Sequence, residues 1–491
     1  MRTNVNNLLK ILAINAAFCN NISANEPVNI ILIFADDLGY GDVASFGQKH
    51  IKTPSLDKMA KDGIRLTNFY ANSICAPSRA SLITGLSSAR SPIRDNYELG
   101  SFLDEEEFGQ MPLPYGTLTI GRLLQASGYK TALIGKWGLG GNGSTGVPWQ
   151  QGFDHFYGYL DQKQAHNFYP THLWRNEKSV ALPNQYLHPH QKLPANADVN
   201  DDSSYVLFKG KAYSNDLMRD EALAFIKSNK SNPFFLTLAF TIPHVALQVP
   251  DEALKQYIGL FDEKPYPGGN GYLPHRYPRS CYAAMITRLD QYVGQVISLL
   301  KELNLENNTL IIFTSDNGPS ARGGADPRFF NSTGGLKGMK GSLYEGGIRV
   351  PFIAKWPEKI KPGTHSGHIA TFWDFLPTFA ELINAGASEY TDGVSFLPVL
   401  TGNLKGLKER EFVYWERSGS QAVRFDNHWK AIRSNMHRQG EKPFQLYNLK
   451  DDPFEKQDLK EAYPELVQKA IGYMDQRQTA IIQEWNFFQL K

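Results

Sequence analysis

Apolar residues fall in short, nearly unbroken runs along the chain, and helical periodicity fills much of the space between them. The runs are "VNIILIFADD" (28–37), "KTALIGKWG" (130–138), "PFFLTLAFTIPH" (233–244) and "TLIIFTSDNG" (309–318). Strands covered on both faces need runs of this kind, so they predict a large, mainly parallel (mixed) sheet sandwiched by helices, an α/β fold. Amphipathic stretches supply the helices: "TLTIGRLLQASG", with Thr117 as its expected cap, and a long segment from about Tyr282 to Leu303. Two regions, roughly 141–205 and 262–279, are rich in Pro, Gly, His and Asn without a strong period. They read as irregular insertions that build a recognition rim.

After "DGVSFLPVLTG" (392–402) the pattern changes to alternating segments, "REFVYWE", "QAVRFDNHWKAIR" and "FQLYNL", followed by a helix from about Pro464. This predicts a smaller C-terminal antiparallel sheet with a helix. The expected division is 1–24 as a signal peptide, 25–405 as the large α/β domain and 406–491 as the C-terminal subdomain. A chain of 491 residues is long enough for two such units.

Charge and cysteine content narrow the picture. Lys and Arg number 51 against 49 Asp and Glu, a net charge of +2, so no broad basic field exists to attract nucleic acid. The N-terminus opens Met1-Arg2, continues through "LLKILAINAAFC" and reaches small residues around Ala24, a pattern similar to a secretory signal peptide. A periplasmic or secreted location is therefore expected, and no later run is long enough to predict a membrane span. Of three cysteines, Cys19 lies in that leader, so Cys75 and Cys281 cannot make a disulfide framework. Cys281 sits in the helical pattern "RSCYAAMITRLDQYV" and is expected to pack.

Polar groups cluster where the four apolar runs end: Asp36 and Asp37, Lys136, His244, and Asp316 with Asn317. In an open α/β sheet that edge is where ligands bind. The two pairs from the first and last runs offer only oxygen donors, which suits Ca²⁺ or Mg²⁺ rather than zinc. Arg79, Lys136 and Lys340, the last among glycines in "KGMKGSLYEGG", supply positive charge for a compact anion such as sulfate or phosphate. His244 has the chemistry of a general acid for a leaving alkoxide. Cys75, in "SICAPSRASL", reads as a buried packing group, a thiol nucleophile, or the precursor of another group.

"CAPSRASLITG" resembles the sulfatase signature, and "ADDLGYGD", "GKWGLG", "SDNGP", "KGSLYEGGIRVP", "DGVSFLPVLTG" and "LYNLKDDPFEKQDL" resemble the other blocks of type I sulfatases in the right order. The resemblance implies an alkaline-phosphatase-like fold and conversion of Cys75 to formylglycine by a maturase that recognises the segment including Ser78. The hydrated aldehyde then attacks sulfur through one hydroxyl, and loss of a proton from the other expels sulfate. Pro77 suits the first helical turn and would hold residue 75 at a positive helix N-terminus. By the same resemblance, Asp36, Asp37, Asp316, Asn317 and residue 75 bind Ca²⁺, Arg79 orients the diol, Lys136 and Lys340 bind sulfate oxygens, and His244 serves the leaving group.

One position departs from the pattern. Many sulfatases have histidine where this chain has Gly138, and His166 or water is the expected substitute. The stretch "GFDHFYGYLDQKQAHNFYP" (152–170) mixes aromatics, His and amides, which suits stacking on sugars and bonding to hydroxyls. A sulfated saccharide, galactose-type or from a glycosaminoglycan, is the expected substrate. Two rival readings share these residues: a phosphoester or phosphonate monoester hydrolase of the same superfamily, and a non-catalytic glycan-binding relative.

Overall fold

The computed structural model describes residues 27–478 apart from 270, 387–389 and 437, so the expected signal peptide lies outside the described residues. Ten strands form one sheet: β1 (Asn29–Ala35), β2 (Ile64–Tyr70), β3 (Lys130–Lys136), β4 (His155–Tyr159), β5 (His172–Arg175), β6 (Lys178–Ala181), β7 (Phe234–Ala239), β8 (Thr309–Ser315), β9 (Ile353–Lys355) and β10 (Thr364–Thr371). Their order is β10-β2-β9-β8-β1-β7-β3-β4-β5-β6. The four sequence-predicted strands are adjacent and parallel at its centre, with Ile33 opposite both Phe313 and Leu238. β9 runs antiparallel between β2 and β8, and β5 and β6 extend the other edge antiparallel, which makes the sheet mixed.

Successive residues of β1 enter different cores. Ile31 and Ile33 pack with Cys281, Ile286 and Val293, whereas Ile30, Leu32 and Phe34 pack with Phe375 and Phe379. Helices therefore cover both faces, and a strand with two buried faces has no reason to alternate. The flanking helices include α1 (Pro54–Lys61), α2 (Cys75–Thr84), α3 (Ile120–Ala126), α4 (Ser214–Ser228), α5 (Pro278–Glu302) and α6 (Phe375–Leu382). α5 starts four residues before the expected Tyr282, because Pro278 is well suited to a first helical turn. The cap of α3 is Thr119, whose side chain accepts from the Arg122 amide; Thr117 instead donates to the Pro114 carbonyl. The region 141–205 is less irregular than expected, since it contains β4, β5 and β6.

A separate antiparallel sheet follows, β11 (Phe412–Arg417), β12 (Ser420–Phe425), β13 (Trp429–Arg433) and β14 (Phe444–Asn448), with α7 (Pro464–Gln478). One face packs Val413, Trp415 and Ile432 against Tyr70, Leu343 and Trp373 of the large sheet's layer. The other receives Ala470, Tyr473 and Met474 from α7. Polar contacts reinforce the join: Trp415 donates to the Ala71 carbonyl at 2.9 Å, and buried Lys430 bridges Glu345 and Glu455, each at 2.9 Å.

Candidate active site

The carboxyl ends of β1, β3, β7 and β8 converge with the N-terminus of α2 on one buried polar cluster. Cys75 is the first residue of α2, all ten residues of which are buried, and extended Ile74 precedes it. The thiol therefore sits at a helix N-terminus, where the dipole favours negative charge and Asn96 Oδ1 accepts from the Ala76 amide. Its Sγ lies 3.4 Å from Asp36 Oδ1 and 3.4 Å from Lys340 Nζ. Burial, then the charge of Asp36, pushes the thiol up to about 12. Such a group is un-ionised at neutral pH, which removes the thiolate that an ordinary cysteine nucleophile requires.

Charge around Cys75 is closely matched. Lys136 Nζ donates to Asp36 Oδ2 at 2.6 Å, and Lys340 Nζ lies 2.7 Å from Asp37 Oδ1. Arg79, one turn along α2 from Cys75, donates through Nη2 to Asp316 Oδ2 at 2.9 Å and Asp36 Oδ2 at 3.3 Å. Its Nη1 donates to the Lys136 carbonyl at 2.6 Å, which ties α2 to the end of β3. Burial works against the charge on Asp36, but Lys136, His244, Arg79 and Lys340 outweigh it and hold that carboxyl well below its usual range. Asp316 goes the other way, pushed up to about 7 by burial and then by Asp36.

Asp37 takes a left-handed conformation at φ 64°, which Asp tolerates better than bulkier residues. That twist lets its amide donate to Asp316 Oδ1 at 3.1 Å, while Asn317 Nδ2 donates to Asp37 Oδ1 at 2.7 Å. The donor chemistry fits a hard cation. Three carboxylates converge, and Asn317 Oδ1 is buried without a hydrogen-bond partner. Ligand atoms of Asp36, Asp37, Cys75 and His244 lie within 4.8 Å of one another. Asp316 has turned one oxygen to Arg79 and the other to the Asp37 amide.

His244 donates from Nδ1 to the Val245 carbonyl, so Nε2 faces Asp37 Oδ2, 3.6 Å away. Burial, then Lys340, lowers it to about 4. His166 stacks on it with ring centroids 4.9 Å apart and an interplanar angle of 17°. Its Nδ1 is buried without a partner, and burial, with His244 and Lys136 next, holds it well below the ordinary histidine value.

Above this floor opens a cavity of about 530 Å³, lined by Cys75, Lys136, His166, His244 and Lys340 from the predicted set. Sequence reasoning missed other lining residues: Asn96, Glu98, Phe102, Gln162, His190, Tyr272, Arg322 and Arg417. Gln162, His190 and Tyr272 fall in the two aperiodic regions marked as a rim; Asn96 to Phe102 and Arg417 had no local signal. At Gly138, φ is +78° and a β-carbon would stand 2.3 Å from Gln162 Nε2. The Gln162 side chain therefore fills the space that a side chain at 138 would need.

A mixed sheet of this order, with a cation-lined pocket at the carboxyl ends of its central strands, is the alkaline-phosphatase-like fold, shared with sulfatase structures. The sulfatase family model matches residues 28–385, and the model described as N-sulphoglucosamine sulphohydrolase, C-terminal, matches residues 339–480. Arylsulfatase A of Bos taurus is 31% identical over 94% of this chain and 89% of its own length. N-acetylgalactosamine-6-sulfatase of Canis lupus familiaris is 29% identical over 84% and 73%. The crystal structure of Ps i-CgsB in complex with k-i-k-neocarrahexaose superposes with a TM-score of 0.73 at 29% identity, covering 94% of this chain and 93% of that one. The chain belongs to the sulfatase family and is a sulfuric ester hydrolase. Among the described residues, no helix is long and apolar enough to cross a membrane.

Proposed function

We propose that the protein releases sulfate from a sulfated saccharide, galactose-type or glycosaminoglycan-derived, using formylglycine made from Cys75. The observation that carries this reading is the placement of Cys75. It is the first residue of a buried helix, 3.4 Å from both Asp36 and Lys340, and its thiol is held protonated. A sulfur in that setting is a poor nucleophile, whereas a hydrated aldehyde there supplies a hydroxyl for attack on sulfur. A formylglycine-generating maturase is the partner this requires, and secretion or export to the periplasm fits a polysaccharide substrate.

Asp36, Asp37, Asp316 and Asn317 would hold Ca²⁺ together with residue 75, and the orphaned Asn317 Oδ1 supports that assignment. Bound calcium would lower the pKa of the attacking hydroxyl and polarise the ester. Lys136 and Lys340 bind sulfate oxygens, and Arg79 fixes the carboxylates and residue 75. To donate a proton from Nε2, with Nδ1 committed to the Val245 carbonyl, His244 has to be cationic, a state that burial and Lys340 oppose; as a neutral ring it would serve the leaving group through hydrogen bonding. His166, neutral and buried against His244, takes the proton-accepting role for which Gly138 has no side chain. Residues 25–405 form the catalytic unit and 406–491 a subdomain that contributes Arg417 to the lining of its pocket.

Sulfate release from sulfated mono- and oligosaccharides, compared with phosphate release from matched phosphate esters after co-expression with a maturase, tests this reading. A preference for the sulfate esters is expected. A clear preference for phosphate would overturn it.

A further inference from the structure

The floor of the pocket is internally matched in charge, but its rim is not. Three cations below, Arg79, Lys136 and Lys340, each contact a carboxylate of Asp36, Asp37 or Asp316 at 3.3 Å or closer. Of the other charged side chains lining the cavity, Glu98 already faces Lys163 at 3.6 Å. Arg322 and Arg417 line the same cavity, and neither has a carboxylate partner among the described residues.

Arg417 is the more constrained of the two. It is the last residue of β11, so it reaches the pocket from the small C-terminal sheet. Buried Trp415 anchors the strand two residues earlier by donating to the Ala71 carbonyl. Glu416, between them, is committed to Arg94 at 3.0 Å and points away from Arg417's head group. Arg417 Nη1 donates to the Gly341 carbonyl at 2.7 Å, which holds the guanidinium next to the Lys340 loop. Its Nε is buried and has no hydrogen-bond partner. Gly341, at φ +88°, leaves room for this approach, since a β-carbon there would stand 2.7 Å from Arg417 Nη1. Arg322 is exposed, and its charge reaches His190 and Tyr272 across the cavity wall.

A single sulfate ester is already provided for by Lys136 and Lys340. Two further guanidiniums lining the same cavity, one held with an unsatisfied donor, call for another planar or tetrahedral anion, because arginine's fork matches carboxylate and sulfate oxygens. We propose that Arg417, with Arg322, forms a second anion subsite, and that the preferred substrate is a saccharide bearing a second anionic group, sulfate or carboxylate, besides the ester that is cleaved. The inference rests on the sulfatase reading for the identity of the cleaved group only. It also gives the C-terminal sheet a role in specificity.

Calorimetric binding to the full chain carrying Cys75→Ala tests the proposal without turnover. The probes are N-acetylgalactosamine 6-sulfate, the 4,6-disulfate, and the 6-sulfate linked to glucuronate. The chain is expected to bind at least one of the two dianionic probes about tenfold or more tightly than the monosulfate at low salt. The member of the pair that gains shows whether the second group is sulfate or carboxylate. Arg417→Met should collapse that ratio by about tenfold, and Arg417→Lys should restore part of it. Equal affinity for all three probes would overturn the subsite. So would an Arg417→Met variant that weakens all probes together, because a displaced Lys340 loop would do that. Failure of the sulfatase reading would look different: the preference for the dianion would survive in a wild-type protein that releases no sulfate.

Discussion

Arg79 Nη2 lies 2.9 Å from Asp316 Oδ2, inside a cluster where side-chain exposure is 2% for the arginine and zero for the aspartate. The same nitrogen reaches Asp36, so one guanidinium holds together the ends of β1 and β8 and the helix carrying Cys75. Removing it leaves buried Asp316 without its cation and Asp36 with Lys136 alone. Arg79→Ala is expected to destabilise the fold by about 3–5 kcal/mol, measured by denaturant unfolding, and to abolish sulfate release. Arg79→Lys should recover stability only in part, because an ammonium cannot reproduce the fork that also reaches the Lys136 carbonyl. An Arg79→Ala protein as stable as wild type would contradict this account of the cluster.

Gly138 and Gln162 form a second coupled pair. With φ +78° and a β-carbon 2.3 Å from Gln162 Nε2, Gly138→Ala should cost roughly 1–3 kcal/mol in thermal or chemical unfolding. Gln162→Ala should relieve the steric part and leave the backbone part. The double variant is therefore expected to be more stable than the sum of the single changes, and strict additivity would show that the two do not compete for space.

Acid should loosen the join between the two sheets. Burial alone would raise Glu345, but Lys430, Arg424 and Arg349 outweigh it and hold the carboxyl at about 2, against an ordinary 4.5. A depressed folded pKa contributes stability that is complete above pH 4.5 and is lost as pH falls toward 2. The loss should be roughly 2–3 kcal/mol. Glu455, raised chiefly by burial, acts in the opposite sense above pH 4.5, so within this pair the acid loss belongs to Glu345, while Asp36, also held low, contributes equally to wild type and variant. Unfolding measured across that window should steepen with acid in the wild type and flatten in Glu345→Gln. An unchanged slope in the variant would count against the assignment.

Calcium should act on stability as well as on rate. Adding Ca²⁺ at about a hundred times its Kd should raise unfolding free energy by about 2.7 kcal/mol, and chelation should reverse it. Asp37→Asn, which removes charge at the centre of the donor set, should reduce that increment together with activity. A melting temperature indifferent to both calcium and chelator would remove the metal from the account.

How much of the fold and site is legible in the sequence depends on burial. β1, β3, β7 and β8 are covered on both faces, so they are spelled as apolar runs, and the polar residues just beyond them stand out by contrast. That contrast alone assigns Asp36, Asp37, Lys136, His244, Asp316 and Asn317 to one edge of the sheet. β5 and β6, "HLWR" and "KSVA", are short and mostly solvent-facing, so they read as loop. Thr117 and Thr119 look alike as caps in sequence, and only the backbone decides which hydroxyl reaches an amide two or three residues on. Arg417 is invisible for another reason. Its meaning comes from a strand in a second sheet meeting a glycine 76 residues earlier, a relation that no local pattern encodes.

The central claim is that the working atom at position 75 is no longer sulfur. Peptide mass spectrometry across residues 73–84, on protein co-expressed with a formylglycine-generating maturase and assayed in parallel for sulfate release, tests it most directly. The account predicts an aldehyde or its hydrate at position 75, with activity rising in proportion to the converted fraction and absent from Cys75→Ala. A fully active protein whose position 75 remains an unmodified thiol would contradict it.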